Sequence, residues 1–167
     1  MGPAAEADVV QLIAILKSRF QVRRVYLAGA SMGGTSALIF AALHPELIDG
    51  VLSENGTANM IEYDQFQEAI TASYGGPRQE QSAEYRKRSP ELVPEKLTMP
   101  LALTVGGRDS VVPPDSVRRL AQKLADRRHE HVLLLDDPEG GHATSYDDTV
   151  TALEFVIRSA ESIAATR

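Results

Sequence analysis

The sequence predicts one three-layer α/β/α domain, residues 1–167, built around a parallel sheet of about four strands. Four uninterrupted apolar runs carry this prediction, at residues 25–28, 50–53, 101–105 and 131–135. Such runs are typical of strands that crossover helices bury on both faces. A length of 167 residues suits a single domain, because two domains would each have only a marginal core.

Helix and strand alternate from the start of the chain. Apolar residues at helical spacing predict a helix over residues 7–19, with a stripe that packs on the sheet: Val9, Leu12, Ile13 and Leu16. The strand Val25 to Ala28 follows, and a helix over residues 32–43 then ends before His44-Pro45. Gly50 to Ser53 is the second strand.

A polar segment, residues 55–98, interrupts this alternation. It contains the breakers Gly75-Gly76-Pro77 and Ser89-Pro90, which separate short stretches of sequence. We therefore expect short helices there, in an inserted cap-like segment of the domain.

The alternation then resumes to the end of the chain. Leu101 to Val105 and His131 to Leu135 are the third and fourth strands. A helix follows the third strand at Pro114, and Ser145 caps the last helix. That helix has one apolar face, formed by Val150, Leu153, Ile157, Ala160 and Ala164. Because the strands are parallel, their carboxyl ends share the edge of the sheet at which ligands bind.

Composition excludes several classes of function. A net charge of −6 argues against nucleic-acid binding, and the lack of cysteine excludes disulfides, thiolate metal sites and thiol catalysis. No metal cluster or cofactor motif is visible, since the run from Gly29 to Gly34 lacks the lysine of a phosphate-binding loop and the glycine spacing of a dinucleotide site. The sequence has no signal-peptide pattern and no apolar stretch of about 18 residues, so we expect a cytoplasmic protein with no membrane partner.

Ser31 is the candidate nucleophile. It lies in Gly29-Ala30-Ser31-Met32-Gly33-Gly34, between the first strand and the helix after it, and a G-x-S-x-G pattern in that context indicates a nucleophile elbow. Glycines at 29 and 33 are expected to leave room for neighbouring backbone, and the helix amino terminus favours negative charge nearby. Taken alone, the pattern also fits a strand-to-helix turn with a capping serine.

Asp109 and His142 are the candidate acid and base. They follow the third and fourth strands, at the same edge of the sheet as Ser31. There a carboxylate can orient an imidazole that takes the serine proton. A turn aspartate is the simpler interpretation of Asp109 alone, but the joint order Ser, Asp, His, each directly after a strand, favours a catalytic triad. The other histidines are interpreted as structural: His44, His129 and His131.

Over nearly its whole length the chain resembles the α/β-hydrolase superfamily, and its middle resembles the prolyl oligopeptidase and acylaminoacyl-peptidase branch with related esterases. Beyond the elbow, the resemblance rests on Tyr74-Gly75-Gly76-Pro77, Tyr85, Arg88-Ser89-Pro90, Lys96-Leu97, Met99-Pro100-Leu101, Gly107 to Asp109 and Val112-Pro113. It implies Ser31 as nucleophile, Asp109 as acid, His142 as base and the backbone N–H of Met32 as one oxyanion donor.

Enzymes of this superfamily carry several strands before the elbow, and a loop among those strands supplies a second oxyanion donor. Only one helix fits before residue 24, so we expect a truncated fold with about half of the sheet and, in consequence, weak activity. The strand Val25 to Ala28 would then lie at an edge of the sheet. We expect it to pair with a second copy, as a homodimer, or with a partner chain.

The sequence leaves three functions open. The first is a serine hydrolase that cleaves a small carboxylic ester or acyl compound through an acyl-enzyme. The alternatives are a peptidase of the prolyl oligopeptidase type and a catalytically weak module that acts in binding or assembly. Candidate substrate-binding residues come from the segment 55–98 and are Asn55, Asn59, Met60 and Tyr63.

Overall fold

Four parallel strands form the central sheet of the computed structural model, which describes residues 1–165. The strands are β1 (Tyr26–Ala30), β2 (Gly50–Glu54), β3 (Leu101–Gly106) and β4 (Val132–Asp137), in the order β1-β2-β3-β4. Each strand pairs in parallel with the next, for example Leu52 with Ala102. The predicted parallel sheet of about four strands is therefore confirmed.

Helices cover both faces of this sheet. They are α1 (Pro3–Arg19), α2 (Met32–Leu43), α3 (Gln67–Tyr74), α4 (Ser82–Lys87), α5 (Asp115–Asp126) and α6 (Tyr146–Ala165). Side chains of α1, α2 and α5 form one core with Val51 and Leu103 of the sheet. On the opposite face, α6 packs on Leu52 and Ala102. The three-layer α/β/α prediction is thus confirmed, and its two cores follow from the alternation of side chains along each strand.

Strand ends differ from the prediction by one to two residues. β1 continues through Gly29 to Ala30, and β4 continues past Leu135 to Asp137. The polar end of β4 stays in the ladder because Asp136 and Asp137 pair with Val105 and Gly106. Apolar periodicity did not reveal these residues because they lie at the rim of the sheet, where side chains meet solvent.

The predicted apolar stripe of α1 is only partly buried. Ile13 is buried and Val9 is half-buried, whereas Leu12 and Leu16 are exposed. The prediction that all four residues pack on the sheet is therefore wrong. α1 contacts the core through Ile13 and the half-buried Val9 and Val10, so the side of the stripe that carries Leu12 and Leu16 stays outside it.

The segment between β2 and β3 contains the short helices that its glycines and prolines predict. Besides α3 and α4 it has two 3₁₀ turns, Pro90–Leu92 and Pro94–Lys96. Within residues 1–165, none of the helices is long and apolar enough to cross a membrane.

Candidate active site

Ser31 lies on a sharp turn between β1 and α2. Its backbone has φ 54° and ψ −119°, a left-handed φ that a non-glycine residue adopts only when its surroundings impose it. The Ser31 N–H donates to the carbonyl of Glu54 at the end of β2, at 2.7 Å. The turn is therefore tied to the neighbouring strand, and Ser31 stands at the carboxyl edge of the sheet, as predicted.

Two glycines allow this turn to pack closely. A Cβ at Gly29 would lie 2.5 Å from the backbone of Gly33, and a Cβ at Gly34 would lie 2.9 Å from the Glu54 carbonyl. Gly33, which the sequence suggested for this role, has open space at its Cβ position among the described residues. A side chain would therefore not fit at positions 29 and 34, because the first turn of α2 lies directly against the ends of β1 and β2 there.

His142 reaches Ser31 from the opposite edge of the sheet, the edge formed by β4. It lies on the loop between β4 and α6, and its Nε2 is 2.7 Å from the Ser31 Oγ. Its side chain is 27% exposed, so the imidazole borders solvent at the rim of the sheet.

Asp109 completes the series of contacts. Its Oδ2 accepts from the Nδ1 of His142 at 2.6 Å, and its side chain is 1% exposed. Its Oδ1 accepts from the N–H groups of Val111 and Val112, both at 2.9 Å. Asp109 therefore has both of the roles that the sequence left open, because one oxygen forms the turn and the other contacts the imidazole.

The three groups together form a route for a proton. When Nδ1–H of His142 donates to a carboxylate, Nε2 carries a lone pair that accepts the hydroxyl proton of Ser31. The sequence prediction that Ser31, Asp109 and His142 meet at one edge thus describes their placement in the structure.

Met32 is the first residue of α2, directly after Ser31. The first N–H groups of an α-helix have no acceptor within the helix. The N–H of Met32 is therefore placed where the chain can offer a hydrogen bond beside the serine, and its side chain is largely exposed.

A mainly apolar cavity of about 330 Å³ adjoins Ser31 and Met32. Two of the predicted substrate-binding residues, Met60 and Tyr63, line this cavity. Other lining residues are Phe66, Ile70, Tyr74 and Val112. Burial, and then the negative charge of Asp109, raise the pKa of Tyr63. Its phenol therefore stays protonated and donates to the carbonyl of Val111 at 3.2 Å.

The other two predicted substrate-binding residues lie outside this cavity. Asn59 is buried and its Nδ2 donates to Glu91 at 2.9 Å, while its Oδ1 accepts the N–H of Ile61. Asn55 lies directly after β2 and is buried beside Thr104 of β3. Each amide has one internal partner that is distant in sequence, Glu91 for Asn59 and Thr104 for Asn55, so composition alone could not show that they face inward.

Sequence reasoning missed most of the cavity wall. Ile70 and Tyr74 of α3 are four residues apart and so share a helical face, which is the one signal that could have revealed them. Phe66 and Val112 lie in loops, where no periodicity marks them.

The remaining histidines lie elsewhere: His129 is in the loop before β4, and His131 directly precedes β4, which begins one residue later than predicted. His44 ends α2 and contacts Glu6 at 2.9 Å, and the backbone N–H of His131 donates to the ring of His129. Among the described residues, no group of three or more His, Asp or Glu side chains is arranged to hold a metal ion.

Two solved structures show the same fold. The acylaminoacyl peptidase of Pyrococcus horikoshii is 21% identical, with a TM-score of 0.70 over 89% of this chain and 26% of that chain. A puromycin hydrolase is 18% identical, with a TM-score of 0.73 over 92% of this chain and 24% of that chain. This chain therefore has the fold of part of an α/β-hydrolase, and it spans about a quarter of the length of these proteins.

Sequence comparison gives the family. No curated protein matches the chain significantly. The profile of the prolyl oligopeptidase family, however, matches residues 1–158, which is nearly the whole chain and includes Ser31, Asp109 and His142. The chain belongs to the prolyl oligopeptidase family.

Proposed function

We propose that the chain carries the acyl-transfer site of a serine hydrolase of the prolyl oligopeptidase type. The observation that carries this proposal is the continuous series of contacts from Ser31 through His142 to Asp109, at 2.7 and 2.6 Å. These distances are within the range that a nucleophile and its base need for proton transfer.

In the proposed reaction the Ser31 oxygen attacks the carbonyl carbon of the substrate while its proton passes to Nε2 of His142. The imidazolium gives that proton to the leaving amine or alcohol as the bond to the carbonyl carbon breaks. Water then attacks the acyl-enzyme by the same exchange of a proton with His142, which releases a carboxylic acid and restores the serine hydroxyl. Asp109 orients the imidazole and stabilises its charged form.

The negative charge that develops on the substrate oxygen requires a donor in the site. The N–H of Met32 is our candidate, because it lies at the amino end of α2, next to Ser31, and lacks a partner within the helix. The positive end of the helix dipole favours the same charge.

The family supports a peptidase more than the small-ester preference that the sequence suggested. Both reactions pass through the same acyl-enzyme and differ only in whether an amine or an alcohol leaves. The ester preference remains a prediction.

The cavity beside Ser31 suits an apolar acyl group. Its aromatic and aliphatic lining includes no Lys, Arg, Asp or Glu side chain among the described residues. A charged group would lose its hydration there without gaining an oppositely charged side chain, whereas an apolar group gains roughly 25 cal/mol for each Å² that it buries. We therefore propose a substrate with an aromatic or large aliphatic side chain on the acyl part.

A fluorophosphonate probe tests the proposal. The Ser31 oxygen should displace fluoride at phosphorus, with its proton leaving through His142, and intact mass should show one adduct. Ser31→Ala should give none, while Ser82→Ala, which removes an exposed serine at the start of α4, should label like the parent. Rates on the p-nitroanilide and p-nitrophenyl ester of the same acetyl-phenylalanine then separate peptidase from esterase activity. An unreactive parent chain would overturn the proposal and favour the binding module.

A further inference from the structure

The loop that carries His142 is fastened first by its backbone. Gly107 N–H donates to the Asp137 carbonyl at 2.7 Å, and Arg108 N–H donates to the Gly140 carbonyl at 2.8 Å. These bonds join the loop to the chain just after β3. They hold the part of the loop that precedes His142, so the part that follows His142 must be held by other contacts.

A side-chain contact holds the loop after His142. The hydroxyl of Thr144 lies 2.6 Å from the hydroxyl of Thr104 in β3. Thr104 is buried, and it is the one polar side chain of the strand sequence LALTVG. A buried hydroxyl in a strand of this kind is costly unless it has partners, so its presence calls for a specific role.

The direction of these hydrogen bonds follows from the number of protons. Thr104 Oγ1 donates to Oδ1 of Asn55, at 3.4 Å, and a threonine hydroxyl has a single proton. When Thr104 donates to Asn55, Thr144 is the donor in the 2.6 Å contact between the two threonines. Asn55 follows β2 with a left-handed φ of 46°, and the bond from its N–H to the Thr104 carbonyl, at 3.0 Å, holds it against β3.

The same end of β2 also holds the nucleophile. The Glu54 carbonyl accepts from Ser31 N–H at 2.7 Å, and its carboxylate accepts from the hydroxyl of Thr149 in α6 at 2.6 Å. Glu54 and Asn55 thus contact the turn of Ser31 on one side and the surroundings of His142 on the other. β2 contributes no member of the Ser–His–Asp series, yet it connects the two members that must meet.

From this arrangement, and resting on the proposed function, we propose that Thr104 is a positioning residue. Its hydroxyl, which also contacts Asn55, holds the loop of His142 in the position where Nε2 reaches Ser31 Oγ. Thr104 touches neither substrate nor reacting atoms, and it acts through the placement of the imidazole. A displacement of about 1 Å at such a site can lower a rate about a hundredfold.

Two substitutions at this position separate the hydroxyl from the packing. Thr104→Val keeps the branched shape in the buried strand and removes the hydrogen bonds, while Thr104→Ser keeps the hydroxyl. Thr151→Val, which removes an exposed hydroxyl from α6, is the matched control. The full chain is used throughout, and thermal unfolding monitors stability.

Two measurements then test the role. In Thr104→Val, we expect kcat and the rate of fluorophosphonate labelling to fall about ten- to a hundredfold with little change in KM, and hydrogen exchange to rise across residues 138–145. Thr104→Ser should restore most of both, and Thr151→Val should change neither. Labelling at the parental rate in Thr104→Val would overturn the proposal. If the parent chain does not label, the proposed function fails, and unchanged exchange in Thr104→Val would separately show that Thr104 does not hold the loop.

Discussion

The Oγ of Ser31 and the Nε2 of His142 lie 2.7 Å apart, although 111 residues separate them in the chain. Their parent strands, β1 and β4, form the two edges of the sheet. With neighbouring strands about 4.8 Å apart, the loop of His142 must cross roughly 14 Å to reach the serine. The contact between Ser31 and His142 therefore depends on the path of this loop, which several other contacts set.

Asp109→Asn should remove activity with little loss of stability. The asparagine oxygen can still accept from the N–H groups of Val111 and Val112, which preserves the turn. Its amide nitrogen then faces His142 Nδ1, and the proton moves to Nε2, the wrong nitrogen for a base. We expect kcat to fall about 10⁴-fold, measured on an acetyl-phenylalanine ester, with an unchanged far-UV circular dichroism spectrum. A loss of less than about tenfold would contradict the role of the carboxylate.

Gly106→Ala should displace the loop of His142. A Cβ at Gly106 would overlap the carbonyl of Gly141 and lie 2.7 Å from that of Gly140. Because those carbonyls belong to backbone, the loop must shift as a whole. We expect a stability loss of about 1 to 3 kcal/mol in urea unfolding and a labelling rate lower by about a hundredfold. Gly33→Ala, where the added Cβ meets open space, is the control and should lose far less.

Filling the apolar cavity should change substrate choice. Ala69 of α3 lines it, so Ala69→Trp should lower kcat/KM for acetyl-phenylalanine substrates by about tenfold or more, while p-nitrophenyl acetate reacts normally. Ala83→Trp, at an exposed position of α4, is the matched control. Equal effects on both substrates would place the acyl group elsewhere.

The free energy of unfolding should depend on pH through the Glu91 carboxyl. Burial alone would raise the pKa of this carboxyl, but hydrogen bonds from Arg119, Asn59 and Lys123 outweigh burial and lower the pKa to about 2. A lowered carboxyl pKa contributes stability above the unfolded value of 4.5, and that contribution is lost as pH falls from 4.5 towards 2. We expect it to be on the order of 2 to 3 kcal/mol at neutral pH.

Urea unfolding of Glu91→Gln and the parent between pH 7 and pH 3 measures this term. The difference in unfolding free energy between the two proteins should shrink as the pH falls below 4.5, because the contribution of the Glu91 carboxylate is lost there. The other carboxyls are common to both proteins, so their effects cancel in the difference. Glu62→Gln removes an exposed partner of the same Arg119 and should have a much smaller effect. A constant difference across this range would rule out the assignment to Glu91.

The free edge of β1 should promote association. Val25 and Ser31 bond towards β2, so by alternation the backbone groups of Tyr26, Ala28 and Ala30 point away from it. We propose that a second copy, or a strand from a partner, pairs there. Sedimentation over a dilution series should show self-association that Ala28→Pro weakens and Ala28→Val does not, because proline removes an outward N–H. A parent chain that stays monomeric at every concentration would speak against the second copy.

The sequence predicted the features that local patterns and parallel topology determine. Ser31, Asp109 and His142 each follow an apolar run, and parallel strands bring their carboxyl ends to one edge. The inward-facing Asn55 and Asn59 were beyond reach, because their partners Thr104 and Glu91 become neighbours only when the chain has folded. The exposed stripe of α1 was missed for a related reason, since helical spacing shows a face but not what lies opposite it.

The turn from Asp109 to Val112 connects recognition with reactivity. The backbone N–H groups of Val111 and Val112 donate to the Asp109 carboxylate. Val112 also forms part of the cavity wall, and the phenol of Tyr63, from the same wall, donates to the carbonyl of Val111. If the proposed acyl site is right, an acyl group that fits poorly would push on the same few peptide units that orient the Asp109 carboxylate towards His142. Selection among substrates would then be expressed in how fast each one turns over, more than in how tightly each is held.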